Sequence, residues 1–335
     1  MVKKPLVLIA CLLCLLAASG GYLGYRYLHA PLHSPGEAVI VHIRPGQSFA
    51  QIVAELHEQD IISHPEAFIW LAKLTGKTTS IKAGEFRIDT GWSRWTLLRH
   101  LHDGQVVLHK LNIPEGLTWW ETAKRVKRSG LATSSGFARQ VRNATLLERF
   151  DVPAPSAEGF LFPETYHLPK TGSDRARAIV EVMLEEFWDQ TDSHLWPKER
   201  PEAKRLLRLV TLASLVEKET AVPQERAKIA GVYRNRLERG MRLQCDPTVI
   251  YGLGPEFDGN LTKQDLKDRS NEYNTYAHPG LPPGPICSPG LASLKAALHP
   301  EDHDYYYFVA KGDGSHKFSK TLREHNRAVR KYQLQ

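Results

Sequence analysis

The chain has 335 residues, room for two or three domains, and its 42% hydrophobic and 24% charged residues are those of a globular protein. A formal net charge of +7 suits nucleic acid, anionic lipid or an acidic polymer as a partner. No basic block is dense enough to favour nucleic acid, and no zinc-finger or RNA-recognition signature is present.

Lys3 and Lys4 precede an uncharged, mostly apolar run from Pro5 to Tyr25. About 20 such residues can span a bilayer, and the lysines predict a cytoplasmic N-terminus. Ala17-Ala18-Ser19 also fits a signal-peptide cleavage site. The apolar character continues through Leu23 and Tyr25, which favours an uncleaved transmembrane anchor over residues 1–27. Everything after about residue 30 is then exported, on either reading. Cys11 and Cys14 lie inside the apolar run, whereas Cys245 and Cys287 lie in the exported part, where a disulfide between them is permitted.

Residues 28–38 hold two prolines and a glycine and read as a linker. Val39 to Ile43 alternates as a strand does, Pro45-Gly46 makes a turn, and Ser48 with Gln51 has the spacing of a capping box. Phe49, Ile52, Val53 and Leu56 form the buried face of the next helix. Helices are predicted over Pro65–Leu74 and, capped by Ser93, over Trp95–His102; a strand is predicted after the turn near Gly84. The strand–turn–helix pattern returns at Leu111–Ile113, Pro114-Glu115-Gly116 and Thr118 with Glu121, which suggests an internal repeat. Residues 133–150 read as helical. The proline-rich stretch from Asp151 to Ser156 marks a domain boundary.

Glu158 to Tyr166 (EGFLFPETY) mixes aromatics and acids around Gly and Pro, which suggests a shaped loop or groove wall. Helices are predicted from Asp174 to Gln190 and from Leu206 to Thr220. Another is predicted from Gln224 to about Arg239, with Ile229, Val232, Tyr233 and Leu237 inward. The chain then turns loop-rich, through Gln244-Cys245-Asp246-Pro247-Thr248 and the Pro- and Gly-dense segment Asn271–Pro289. A helix over Leu291–His299, a hairpin around Gly312-Asp313-Gly314 and a basic terminal helix close the order.

On the helix Leu206–Thr220, at about 100° per residue, Leu206, Leu209, Val210, Ala213 and Val216 share one side. Glu217 stacks over Ala213 and Val210 and continues the apolar stripe, while Glu219 points nearly opposite. A carboxyl in an apolar stripe is either paired or keeps its proton at neutral pH, and a protonated Glu in a cleft is what a general acid requires. The same pattern fits a carboxylate paired with an arginine or placed at a helix end. No metal-ligand spacing, catalytic Ser-His-Asp order or glycine-rich phosphate loop stands out, so no metal or cofactor is expected.

In order, the chain carries a membrane anchor and a glycine-plus-capping-box unit (Val41, Gly46, Ser48, Ile52, Leu56) that resembles a LysM glycan-binding module. After these come EGFLFPETY at 158–166, VEKET at 216–220, Asn235-Arg236-Leu237, LQCDPT at 243–248 and Tyr273-Asn274-Thr275-Tyr276. The ordered set resembles the YceG-like (MltG) family of endolytic murein transglycosylases over nearly the whole chain after the anchor. Cys245, where the family more often has threonine, and Cys287 depart from its pattern.

The resemblance implies a lyase that cleaves N-acetylmuramic acid–N-acetylglucosamine bonds inside peptidoglycan glycan strands and leaves 1,6-anhydromuramyl ends. It puts the family's catalytic glutamate on Glu217, with Glu219 as the backup acid and Glu164 third. Asn235, Gln244, Asp246, Tyr251, Asn274 and Tyr276 are the substrate-binding candidates, each equally open to a structural role. The expected fold class is α+β: a transmembrane helix, LysM-like α/β modules at 39–150 and a mixed α+β catalytic domain at 151–335. Expected partners are glycan strands, peptidoglycan synthases and, through the helix, the bacterial inner membrane. The competing readings are a non-catalytic membrane-tethered glycan binder and an ordinary muramidase.

Overall fold

Alternating residues of Ala38–Ile43 put Val41 and Ile43 on one face, and an apolar face needs a covered partner to form a stable strand. The computed structural model, which describes residues 3–33, 35–79, 81–170 and 174–334, supplies that partner. The chain forms a mixed α+β structure that divides into two compact units, Met1–His109 with Pro169–Ser173, and Lys110–Leu168 with Asp174–Gln335.

The first unit begins with α1 (Lys3–His29), whose stretch Leu8–His29 is long and apolar enough to cross a bilayer; it is exposed from Leu8 to Arg26, and near its end Tyr27 packs against Arg94 of the following fold. Then come β1 (Ala38–Ile43), α2 (Phe49–Glu58), α3 (Pro65–Leu74), β2 (Gly84–Asp89) and α4 (Arg94–Asp103). β1 and β2 pair antiparallel with Val41 opposite Phe86. Against that ribbon pack Phe49, Ile52, Val53 and Leu56 of α2, Phe68 of α3 and Leu97, Leu98 and Leu101 of α4. The Ser48–Gln51 capping box forms, and the Ser93 hydroxyl accepts the Thr96 N–H to start α4. Much of the expected linker 28–38 is tied down: Leu32 N–H and His33 N–H donate to Trp92 O and Thr90 O. Ser34 lies outside the described residues.

The second unit takes in β3 (Leu108–Asn112) from Lys110 on, then α5 (Trp119–Arg128), α6 (Ser134–Val141), α7 (Ala144–Arg149) and β4 (Thr165–Pro169). Next are α8 (Arg175–His194), α9 (Ala203–Glu219), α10 (Arg226–Glu238), α11 (Asp246–Leu253), α12 (Leu291–Leu298), the hairpin β5 (Tyr307–Ala310) and β6 (His316–Ser319), and α13 (Leu322–Tyr332). Its core joins Phe137 of α6, Leu146 of α7, Phe160 and Leu161, Val180, Met183 and Phe187 of α8, and Val210 and Ala213 of α9. Residues 110–150 thus share a core with α8 and α9. The proline-rich stretch from Asp151 to Ser156 is a connection inside this unit, and Val152 is buried there.

The Thr118–Glu121 capping box forms as the first one does. The sheet partners differ, however: β1 pairs with β2, while β3 pairs with β4, from beyond the EGFLFPETY stretch. The stretch read as loop after Leu243 contains α11, started by Asp246-Pro247 in its first turn and closed by Gly254.

Cys245 and Cys287 are free thiols, both buried, so the disulfide that the sequence permits is not formed. Cys287 Sγ points to Ser214 O at 3.4 Å, and Cys245 lies beside Tyr233 and Glu219, so each sulfur has its own neighbours. Burial pushes both thiols well above their ordinary pKa. Neither is therefore expected to react with a thiol reagent in the native protein. Unfolding without reductant should release all four cysteines of the sequence to titration, and two missing thiols would contradict this.

Candidate active site

α9 buries Leu206, Val210, Ala213 and Val216 against the core, with α12 and α10 packed on it. The last turn therefore points its two glutamates in different directions. Glu217 leaves the apolar stripe at the surface with a side chain only 7% exposed. Its Oε2 accepts the Gly290 N–H at 3.0 Å, and its Oε1 lies 3.8 Å from Arg226 at the start of α10. The same guanidinium stands 3.8 Å from Glu115 Oε2. At 3.8 Å neither contact is a hydrogen bond, and Arg226 Nε is buried without a partner.

Glu115 comes from the Pro114–Gly116 turn. Gly116 takes φ of +77°, a left-handed conformation that costs other residues roughly 1–2 kcal/mol. The turn is pinned on two sides. Gly116 N–H donates to Ser288 O and Ser288 N–H to Leu117 O, both at 2.8 Å, while Lys218 Nζ donates to Gly116 O at 3.2 Å. Burial and the charge of Glu217 hold Glu115 above the ordinary carboxylate range, against the pull of Arg226.

Glu219 faces another place. The Tyr233 hydroxyl donates to its Oε1 at 2.7 Å, and burial raises its pKa. It lines a cavity of about 540 Å³ together with Gln244, Asp246, Tyr276, Arg236 and His316. Tyr276 donates to Asp246 Oδ1 at 2.6 Å, and Gln244 adopts φ of +52°, a strained backbone of the kind found at ligand sites.

The other predicted binding residues lie elsewhere. The Asn235 amide donates to the carbonyls of His303 and Tyr305, clamping α10 to the chain before the hairpin. Asn274 donates to Asp265 O and Asp268 O and accepts the Tyr276 N–H, shaping its loop. Both amides are thus occupied by backbone. The Tyr251 ring lies between Trp120 and Tyr273, with centroids 4.9 and 4.7 Å away, and Tyr273 and Trp120 are both partly exposed. Glu164, third in line for the acid, accepts its neighbour's Thr165 N–H at 2.7 Å in an exposed position.

Two charged residues of this region carried no sequence signal of their role. Glu115 and Arg226 reach Glu217 only through the fold. Arg236 is buried and donates to the carbonyls of Tyr306 and Leu243. Glu158, which opens EGFLFPETY, is fully buried; its Oε2 accepts the Trp119 N–H and the Tyr251 hydroxyl faces it. Burial pushes Glu158 up to about 8 from 4.5. The folded state therefore holds this proton over a pH range where the unfolded chain has lost it. The stabilisation is complete below about pH 4.5 and fades as pH rises towards 8. Melting temperature should accordingly fall across that range in the wild type and fall less in Glu158→Gln; parallel curves would refute the assignment.

Fold and side chains together define an α+β protein in which two carboxyls and a guanidinium gather at the end of one central helix. Residues 41–331 match the model of the YceG-like family, and the chain belongs to that family. It is similar to an endolytic murein transglycosylase of Bacillus subtilis, 31% identical over 95% of this chain and 91% of that one. An endolytic murein transglycosylase of Streptococcus pneumoniae is 30% identical over 98% of this chain and 65% of its own length. A crystal structure of a yceG-like protein from Listeria monocytogenes superposes with a TM-score of 0.57 at 31% identity, covering 87% of this chain and 99% of that one.

Proposed function

We infer that the protein is a membrane-anchored endolytic lytic transglycosylase that cuts peptidoglycan glycan strands at the N-acetylmuramic acid–N-acetylglucosamine bond, and so ends strand elongation. Family membership and the names of its relatives support this reading. The observation that carries it is the carboxyl of Glu217, set at the end of α9 and oriented by the Gly290 N–H.

A hydrolase commonly needs a second carboxylate as nucleophile or as base for water. A lytic transglycosylase uses the sugar's own C6 hydroxyl instead. Glu217 gives its proton to the leaving glycosidic oxygen as the C1–O bond breaks. The C6 oxygen bonds to C1, and its proton returns to the Glu217 carboxylate. The attack is intramolecular and gains from proximity. Tyr251, with Trp120 and Tyr273, offers aromatic faces for sugar rings, and Gln244, Asp246 and Tyr276 offer hydrogen bonds.

A second assignment makes Glu219 the acid, because Glu219 and not Glu217 lines the cavity with Gln244, Asp246 and Tyr276. α1 serves as a single-pass anchor in the bacterial inner membrane, with Lys3 and Lys4 on the cytoplasmic side. On this reading the first unit is a LysM-like glycan-binding module held near the membrane, the second unit is the catalytic domain, and peptidoglycan synthases are the partners.

The test incubates the full chain in detergent with purified glycan strands and weighs the products by mass spectrometry. Anhydromuramyl ends from the wild type are expected. Reducing ends alone would identify a muramidase, and no cleavage at all would identify a glycan-binding scaffold.

A further inference from the structure

Glu217 faces a chemical conflict. A general acid must bring a proton to its substrate, yet this carboxyl stands beside two groups of positive character, the Gly290 N–H at 3.0 Å and the Arg226 guanidinium at 3.8 Å. Something must oppose them. The charged groups around Glu217 are Glu115 on the turn before α5, Arg226 on α10 and Lys218 beside it on α9. Glu121 on α5, the buried Glu158, which burial pushes up to about 8, and the buried Cys287 thiol also share this surrounding. Lys218 is directed to Gly116 O, Glu121 is bonded to Thr118 as a cap, and the buried thiol stays neutral. Glu115 is the remaining anion, and it shares the guanidinium with Glu217.

We propose that Glu115 is a positioning residue of the reaction, which keeps the acid's proton available by drawing on the same Arg226 and placing a second negative charge beside Glu217. One guanidinium cannot fully compensate two carboxylates, and burial together with the charge of Glu217 holds Glu115 above the ordinary carboxylate range. The geometry serves this. The Glu115 carboxyl packs directly over Gly290, whose N–H holds Glu217, and a side chain at position 290 would displace it. The Gly116 turn, pinned to Ser288 and Lys218, fixes that approach. Arg226 hydrogen-bonds neither carboxylate, so its field acts on both at once.

The inference rests on Glu217 being the acid, and its test separates the two claims. Initial rates of anhydro-end formation are measured from pH 4 to 9 for the full chain in detergent, with thermal melts to establish folding. The Glu115 side chain is 48% exposed, so glutamine fits without repacking. In Glu115→Gln the alkaline limb of the rate profile is expected to move down by about one pH unit, a loss of roughly tenfold at pH values on that limb. In Arg226→Gln the limb moves up. An unmoved limb in Glu115→Gln beside a dead Glu217→Gln overturns the proposal and leaves the acid assignment standing. A Glu217→Gln variant as active as wild type overturns both. If Arg226→Gln fails to fold, the Glu115→Gln profile alone decides.

Discussion

Replacing Glu217 by glutamine is expected to abolish formation of anhydromuramyl ends, with a loss of roughly 10²–10⁴-fold, the range a positioned general acid supplies. Glutamine matches the shape and can still accept the Gly290 N–H, so the melting temperature should stay close to that of the wild type. What is removed is the proton for the leaving oxygen and the base that takes the C6 proton. Both halves of the reaction use one side chain, so no partial route remains through this group. Glu219→Gln is the paired control. Its carboxyl is buried and bonded to the Tyr233 hydroxyl, so glutamine there is expected to lower stability modestly and leave cleavage measurable. Product analysis by mass spectrometry decides. An inactive Glu219→Gln beside an active Glu217→Gln would move the acid to the cavity shared with Gln244, Asp246 and Tyr276.

The second large effect concerns folding. Gly159→Ala is expected to destabilise the second unit by about 2–5 kcal/mol, from left-handed backbone strain and overpacking together. Gly159 has φ of +83°, and an added Cβ would lie 2.5 Å from Pro285 and 2.8 Å from Val210. Neither neighbour is a flexible side-chain end: Pro285 is a ring in the Pro-rich segment and Val210 is in the middle of α9. The strain falls between Glu158 and Phe160, so relaxing it would disturb a buried carboxyl and a core aromatic. For a unit of this size the melting temperature should drop by roughly 5–15 °C. A drop under 2 °C would show that the loop yields easily and that the close approach is not a constraint.

Much of the architecture was legible along the chain because it is made by neighbours. The capping boxes at Ser48 and Thr118 need residues three apart, and the buried face of α2 needs only the helical period. Pro65, Ser93 and Pro223 start their helices or turns through their own backbone preferences. The stripe Val210–Ala213–Glu217 singled out a carboxyl by the same local logic, and the low exposure of Glu217 agrees with it. α11 was missed because Asp246-Pro247 reads equally as a turn or as a first helical turn, and packing chose the second.

The sequence by itself determined the helical frame, the apolar segment of α1 and the one glutamate whose position in an apolar stripe demanded an explanation. Only the tertiary structure decided that β3 and α5 share a core with α9, that Cys245 and Cys287 stay apart, and that Glu115, Arg226 and Gly290 gather around Glu217. The physical reason is separation along the chain. A period or a cap is fixed by bonds a few residues long, whereas the field on a carboxyl comes from whatever charges folding brings within a few ångströms, and those charges lie a hundred residues away on one side and beyond a helix end on the other.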